Sequence, residues 1–366
     1  MRLSSLPYIV KKLVLDHLSI NHIFFLTLCS KNLKNFIVQT QRYQLDKNID
    51  CISYCIRSKR TIEIVSLAFR ECNDSVMHLI PADSSEAVTL EEVRVNVLGI
   101  SIDFCCSPTN QTDLCAKYTP ENFESIIETI HDHLYELFGP CTDFELVCLP
   151  GPETRRFLPI LRNIQELKIY RAVFATARIE KLLSSSNCLE YFQYDVPHGR
   201  TVEFEATSRI YELDTLDVVG GRRLPTDVMK YFKGRHAFLD CNSIKTRNVI
   251  RFLNQWRSGE KFRNLEVITM SNGFDTRQIR KSVRFKTLDK KVKYSFTRNF
   301  HDPDHGYPSE FESRLYLVRE SDGRVASVLL GLFQIFMGVW NMTEAEFLEK
   351  FQRDREVPPP PDSDPI

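Results

Sequence analysis

The sequence of 366 residues predicts a mixed α/β fold: three short N-terminal helices, then a stack of alternating strands and helices that ends in a β-hairpin. Three observations predict it. Apolar residues recur at helical spacing in the first forty positions, strand-like segments recur at intervals from residue 144, and an Asp-Gly turn separates two apolar runs near the end. Hydrophobic residues make up 43% of the chain, enough for several cores.

The first helix is predicted within "LSSLPYIVKKLVLDHLS", residues 3–19. Its apolar residues fall on one stripe at spacings of three and four: Leu6, Val10, Leu13, Val14 and Leu18. A helix this short cannot form a core alone. The stripe must therefore be covered by the rest of the chain or by another chain.

Two further helices are predicted before residue 43. The second begins at a cap from Ser19 or Asn21, and the third follows Ser30. Their apolar faces consist of Ile23, Leu26 and Thr27 in the second helix, and of Leu33, Phe36 and Ile37 in the third. All three helices are too short to be stable without tertiary contacts.

The next segment, residues 43–140, is mixed. "RVNVLGISIDF", 94–104, predicts a strand. "TPENFESIIETIHDHLYELFG" predicts a helix with Thr119 as its cap, Pro120 at the first helical position and Gly139 at its end. Its buried stripe is Phe123, Ile127, Ile130, Leu134 and Leu137.

From residue 144 the chain becomes periodic. Six strand-like segments have leading leucines at intervals of 21, 22, 27, 23 and 26 residues: Leu146, Leu167, Leu189, Leu216, Leu239 and Leu265. Helices are predicted between them, with Thr226 and Thr246 as two of the caps. Leucine-rich repeats have periods of about 20–29 residues. The pattern predicts an irregular leucine-rich-repeat-like α/β stack.

The C-terminal part predicts a β-hairpin over 314–331 with its turn at Asp322-Gly323, then a short acidic helix. The tail "VPPPPDSDPI" is expected to be extended and disordered. The predicted organisation is therefore 1–42, a linking region 43–140, a repeat-like domain 141–350 and the tail 351–366.

Charge and cysteine usage narrow the class of protein. The 48 basic and 48 acidic residues cancel, so bulk charge gives no reason to expect a nucleic-acid or membrane partner. Eleven cysteines without a CxxC pair match neither a zinc site nor a disulfide scaffold. With no signal peptide and no apolar run long enough to span a bilayer, an intracellular protein of the cytoplasm or nucleus is expected.

The first forty residues resemble an F-box. Leu6-Pro7 opens the pattern, Val10, Val14 and Leu18 follow, and "LCSKNLKNFI" closes it. This resemblance implies binding to the Skp adaptor of cullin-based ubiquitin ligases. The residues it assigns to adaptor contact are Leu6, Pro7, Val10, Val14, Leu18 and Leu26.

A second resemblance lies further along the chain. Residues 242–270 and 319–326 resemble the two signature segments of the nematode-type F-box associated domain (type 2). The matching residues are Phe252, Leu253, Trp256, Gly259, Leu265 and Glu266, then Arg319, Asp322, Gly323 and Ala326. The resemblance implies a C-terminal domain that holds a target protein. Phe252 and Trp256 are expected in its core.

The predicted function is a substrate receptor without catalysis, cofactor or metal. No GxSxG, Walker-type or HExxH motif occurs. "HDPDH", 301–305, predicts a solvated loop, and "HDH", 131–133, places its two histidines on different helix faces. Two alternatives remain: a nucleic-acid binder using 277–298, with nine basic residues and one acid, or a repeat scaffold without a ubiquitin role.

The basic segment 277–298 itself is expected to form a strand pair with one solvated face. A basic patch that selects an acidic protein target is a third interpretation of it.

Overall fold

The computed structural model describes residues 6–49, 51–57, 61–67, 74–83, 92–106, 114–139, 142–150, 158–296 and 309–352. The chain forms two compact units, unit 1 at residues 1–197 and unit 2 at residues 198–366. The mixed α/β class with three N-terminal helices is confirmed. The sequence-based boundaries at 42, 140 and 350 stay predictions. "HDPDH" and the tail lie outside the described residues.

Unit 1 begins with helices α1 (Tyr8–Asp16), α2 (Ile20–Cys29) and α3 (Lys31–Asn48). Within α1, which the structure describes in full, Leu15 alone is buried. The predicted stripe of α1 is exposed at Val10, Leu13 and Val14. Helix α2 supplies most of the small core of these helices, through Ile20, Ile23, Phe24, Thr27 and Leu28.

The rest of unit 1 is a sheet with two further helices. Its strands are β1 (Cys51–Ile56), β2 (Ile62–Leu67), β3 (Asp74–Pro81), β4 (Val93–Val97), β5 (Ile100–Cys106), β6 (Leu114–Tyr118), β7 (Asp143–Cys148), β8 (Glu166–Tyr170) and β9 (Tyr191–Val196). The helices are α4 (Phe123–Phe138) and α5 (Thr176–Ser185). The strand order is β9-β8-β7-β1-β2-β3-β6-β5-β4. Strands β1, β7, β8 and β9 pair in parallel, as do β3 and β6.

Two predictions in this region are wrong in detail. The single strand predicted over 94–104 is a hairpin, because Leu98 and Gly99 both have positive φ and turn the chain between β4 and β5. Helix α4 starts at Phe123, with Asn122 as N-cap. Thr119 and Pro120 precede it, since the Asn122 side chain accepts the Thr119 N–H at 2.6 Å and closes a turn there. Its predicted end at Gly139 is confirmed.

Unit 2 contains β10 (Thr215–Gly220), α6 (Leu224–Tyr231), β11 (His236–Asp240), α7 (Thr246–Ser258), β12 (Val267–Ser271), α8 (Thr276–Ser282), β13 (Lys286–Ser295), β14 (Glu310–Val318), β15 (Arg324–Leu330), β16 (Gln334–Thr343) and α9 (Glu344–Gln352). The strand order is β13-β14-β15-β16-β12-β11-β10. Strands β10, β11 and β12 are parallel, and the others pair antiparallel.

The periodic segments form strands and helices as predicted, with some offsets. Leu216 and Leu239 lie inside strands, whereas Leu265 precedes β12 by two residues. Thr226 and Thr246 fall inside helices, so the predicted caps are wrong; the N-caps are Arg223 and Lys245.

The strand pair predicted over 277–298 is also wrong. Its first part is helix α8, capped by the Asp275 side chain, which accepts the Gln278 N–H at 2.9 Å. Its second part is the single strand β13, and residues 297 and 298 lie outside the described part of the chain. The hairpin predicted at Asp322-Gly323 is present between β14 and β15. None of the helices in the described ranges has the length and apolarity needed to cross a membrane.

Candidate functional site

Helix α1 carries an exposed apolar surface. Side chains of this size are usually buried, yet Ile9 is 71% exposed and Leu13 is 53% exposed. The apolar α1 face, as we name it, consists of Ile9, Val10, Leu13 and Val14, on the side of the helix opposite Leu15. Contiguous apolar surface of this kind marks interaction sites in folded proteins.

Five of the six residues predicted for adaptor contact lie in α1 or directly flank it, and the sixth, Leu26, lies on α2. Pro7, Val10 and Val14 are exposed. Leu6, Leu18 and Leu26 are half-buried. The predicted stripe did not include Ile9, whereas Tyr8, on the same side of the helix as Leu15, packs edge-on against Phe36 with ring centroids 5.7 Å apart. The buried side of α1 is in fact marked by Leu15, which leaves the opposite positions free.

A family comparison covers this part of the chain. Residues 3–45 match the F-box domain. No curated protein and no solved structure matches the chain. The F-box match spans α1, α2 and most of α3, so the apolar α1 face belongs to it.

The F-box rests on α4 through His133. The Thr27 hydroxyl donates to the Phe24 carbonyl at 2.6 Å and lies 2.7 Å from His133 Nε2, which therefore carries the proton of this bond. Lys34 Nζ lies 3.4 Å from His133 Nδ1 and forms an ion pair with Glu136. Burial, reinforced by Lys34, lowers the pKa of His133 to about 4. The neutral ring therefore joins α2 and α3 to α4.

The second histidine of the HDH segment faces elsewhere. His131 Nε2 lies 2.6 Å from the Arg162 carbonyl, and its Nδ1 lies 2.8 Å from the hydroxyl of Tyr54 on β1. Burial lowers its pKa to about 4 as well. The two imidazoles therefore bind different partners: His133 contacts α2 and α3, and His131 contacts β1 and the Arg162 carbonyl. In the described part of the chain, no group of three or more His, Cys, Asp or Glu side chains could hold a metal ion.

The two C-terminal segments singled out in the sequence meet in unit 2. Arg319 is buried, and its guanidinium carbon lies 5.2 Å from the Trp256 ring centroid. Asp322 accepts two hydrogen bonds from Arg319, at 2.9 and 2.7 Å, and this pairing lowers the pKa of Asp322. Gly259 ends α7 with a φ of 75°.

Four other residues of these two segments are buried or lie in a turn. Phe252, Leu253 and Leu265 are buried. Gly323 has a φ of 73° in the turn before β15. Positive φ favours glycine at such a turn. These positions hold the fold together and offer no reactive group to a ligand.

A cavity of about 460 Å³ opens at the carboxyl ends of β10 and β11. Its lining includes Gly220, Gly221 and Arg222 from the first loop and Asp240 and Asn242 from the second. Ligands of open α/β sheets bind at this end of parallel strands. The cavity could not be predicted from the sequence, because its second side comes from the loop after β11, about 20 residues further along the chain.

Unit 1 also buries an ionic group that the sequence did not indicate. Lys168 on β8 lies 2.8 Å from Glu145 on β7 and 3.0 Å from Glu166, and all three side chains are 6% exposed. Burial lowers the pKa of Lys168, but the two carboxylates raise it by more than burial lowers it. The pKa of Lys168 is therefore higher than that of a lysine in water. The lysine therefore stays charged, and the group is a closed structural pairing.

The basic segment has two different parts. On β13, Lys286 pairs with Glu344 and Lys293 pairs with Glu310, both at 2.7 Å. These contacts neutralise part of the strand that the nucleic-acid alternative relied on. The helical part, α8, has no such pairing in the described residues.

Proposed function

We propose that the chain is a substrate-recognition subunit of a Skp–cullin–F-box ubiquitin ligase. The F-box binds the Skp adaptor, and through it a cullin. The C-terminal region binds a target protein and holds it near a ubiquitin-conjugating enzyme. The acceleration comes from effective concentration, so no residue of this chain has to make or break a bond.

The observation that carries the proposal is the apolar α1 face inside the F-box match. Four apolar side chains are exposed to water on one side of a short helix, an arrangement that is unfavourable unless a partner covers them. The adaptor is the partner that F-box domains generally bind. Leu6, Pro7, Val10, Val14, Leu18 and Leu26 keep their proposed roles, with Ile9 and Leu13 added to them.

The target-binding role of the C-terminal region rests on its resemblance to the F-box associated domain. The packing of Arg319 on Trp256 supports this assignment, because it joins the two segments that carry the resemblance.

The test is a pull-down of the full chain with a purified Skp adaptor. The double substitution Ile9→Ala/Leu13→Ala removes two exposed apolar anchors. We expect adaptor binding to weaken by about 2–4 kcal/mol, the range for central interface residues. Since both side chains are exposed, circular dichroism should stay unchanged.

The matched control is Lys12→Ala/His17→Ala, which truncates two exposed polar residues of the same segment. We expect it to bind the adaptor as the intact chain does. Failure of the intact chain to bind any Skp adaptor, or equal loss in both variants, would contradict the proposal.

A further inference from the structure

Helices α7 and α8 lie side by side in unit 2 and run in the same direction. At their beginnings, the Asp275 N–H donates to the Thr246 hydroxyl at 3.2 Å. At the end of α8, the Asn254 amide donates to the Ser282 carbonyl at 3.4 Å. Residues of α7 are thus level with residues of α8 about 28 or 29 positions later in the chain.

This arrangement brings two rows of cationic side chains together. On α7, Arg247 and Arg251 are one helical turn apart, and both are exposed. On α8, Arg277, Arg280 and Lys281 are exposed over the same length of helix. We call these five residues the α7/α8 basic surface. The sequence indicated the second row but not the first, which is about 30 residues away.

The five cations have no partners within the described residues. None of the five side chains takes part in a hydrogen bond, ion pair or ring contact there. The acid nearest in sequence, Asp275, already accepts the Gln278 N–H as the cap of α8. A chain with 48 basic and 48 acidic residues therefore gathers five unpaired positive charges on two adjacent helices. Like charges this close repel, and an anionic partner relieves that repulsion.

We propose that the α7/α8 basic surface binds an acidic segment of the target protein. The inference rests on the proposed function and names the chemistry of the target. One helical turn rises about 5.4 Å, and alternate side chains of an extended peptide are about 6.6–6.8 Å apart. A peptide with repeated Asp or Glu residues can therefore face successive cations of one row. Four of the five are arginines, whose planar fork binds carboxylates with two hydrogen bonds.

The surface fits a protein better than a nucleic acid. Single-stranded nucleic acids bind where aromatic side chains stack on bases, and the described residues of α7 and α8 include no exposed aromatic side chain. The neighbouring lysines of β13 that would extend a phosphate track are paired at Lys286 and Lys293. The net charge of the whole chain is zero, so no wide positive field surrounds the surface.

The test measures binding of a labelled peptide of alternating Glu and Ser to the full chain by fluorescence anisotropy. Salt is kept at about 0.15 M, where charges more than about 8 Å apart are largely screened. We expect binding of this peptide and none of the matching Gln-Ser peptide. Arg247→Glu/Arg251→Glu and Arg277→Glu/Arg280→Glu should each weaken it about tenfold or more, since each removes two charge-assisted contacts.

The control is Lys290→Glu/Lys291→Glu, which changes the net charge equally on the exposed side of β13. It should shift affinity less than about twofold. Equal loss in this control, or no binding of the Glu-Ser peptide by the intact chain, overturns the inference. Tighter binding of a single-stranded RNA, lost in the same helix variants, overturns it in favour of a nucleic-acid partner.

Adaptor binding measured on the same samples separates the two proposals. The arginine variants should bind the Skp adaptor as the intact chain does, because the substitutions lie outside the F-box. Peptide binding absent with adaptor binding intact overturns this inference alone. Peptide binding present with adaptor binding absent overturns the ubiquitin ligase role and leaves an acidic-segment binding surface.

Discussion

At the scale of single residues, His133 shows how the F-box is held. Its ring accepts a hydrogen bond from one side and donates on the other, an arrangement that only the neutral imidazole can satisfy. The positive charge of Lys34 stands beside it. A proton on His133 would therefore break one hydrogen bond and face a cation.

This arrangement predicts a pH dependence of unit 1. The pKa values of His131 and His133 are lowered to about 4, against 6.5 for an imidazole in water. The unfolded chain therefore binds protons that the folded chain does not, so stability is full above pH 6.5 and falls as the pH drops towards 4. Each histidine contributes up to about 3 kcal/mol.

Urea unfolding followed by far-UV circular dichroism at several pH values measures this effect. His133→Gln keeps an amide that can donate and accept but does not titrate. We expect it to show a smaller loss of stability with acid than the intact chain. An unchanged slope would mean that His133 does not carry the dependence.

The residue scale also shows the limit of sequence reasoning. The HDH spacing correctly placed the two histidines on different faces of α4. The partners could not be predicted, because Thr27 is 106 residues from His133 and Tyr54 is 77 residues from His131. Contacts at that separation depend on the sheet order, which local patterns do not encode.

At the scale of elements, the end of α7 is shaped by a close approach. Gly259 has left-handed backbone, and a Cβ atom there would collide with the Ser321 side chain in the turn after β14. The same turn supplies Arg319, which covers Trp256. One glycine therefore allows the helix end and the hairpin turn to pack together.

We predict that Gly259→Ala destabilises unit 2 by about 2–4 kcal/mol, the sum of backbone strain and overpacking. Gly273→Ala is the control, because a Cβ there meets nothing within 4 Å and its φ is not left-handed. Tryptophan fluorescence during urea unfolding measures both variants. Similar midpoints for the two would show that Ser321 gives way and that the contact is unimportant.

Element types were more predictable than their ends. Apolar periodicity placed α4, α7 and the parallel strands near their observed positions. Caps were misplaced at Thr119, Thr226 and Thr246, because threonine is common at N-caps and the residue that closes the turn depends on local geometry. The turn at Leu98 between β4 and β5 was not predicted, because leucine rarely has positive φ.

At the scale of the whole molecule, the positions of the tryptophans allow the unfolding of unit 2 to be followed separately. The chain has two tryptophans, Trp256 and Trp340, and both are in unit 2. Tryptophan emission therefore reports on unit 2, whereas far-UV circular dichroism reports on both units. The F-box contacts α4 through Phe24, Thr27 and Lys34, and these contacts all lie within unit 1.

We predict that deletion of residues 1–48 lowers the stability of unit 1 by at least about 3 kcal/mol, since it removes the fully buried Phe24 from its packing. The fluorescence transition of unit 2 should keep its midpoint. The circular dichroism signal should show an earlier loss. A shifted fluorescence midpoint would mean that residues 1–48 also stabilise unit 2, which would favour the repeat-scaffold alternative, in which the N-terminal helices cap the repeat stack.

The fold class was predictable from the whole sequence, but the sheet order was not. Repeated strand and helix patterns predict parallel strands joined by helices, and β7–β9 and β10–β12 have that pairing. Strand β1 instead pairs in parallel with β7, far along the chain. The apolar α1 face could be predicted as a stripe, while its exposure required the position of Leu15 in the fold.

The pairing of β1 with β7 has a consequence for synthesis. Ninety-two residues separate Cys51 from its partner Asp143. At about 5–20 residues per second, a ribosome needs roughly 5–18 seconds to make that stretch. Helix α4, on which the F-box rests, also emerges late in this interval. The Phe24 side of α2 therefore lacks its α4 cover for those seconds, whereas the apolar α1 face does not depend on α4 and is available to the proposed adaptor as soon as α1 forms.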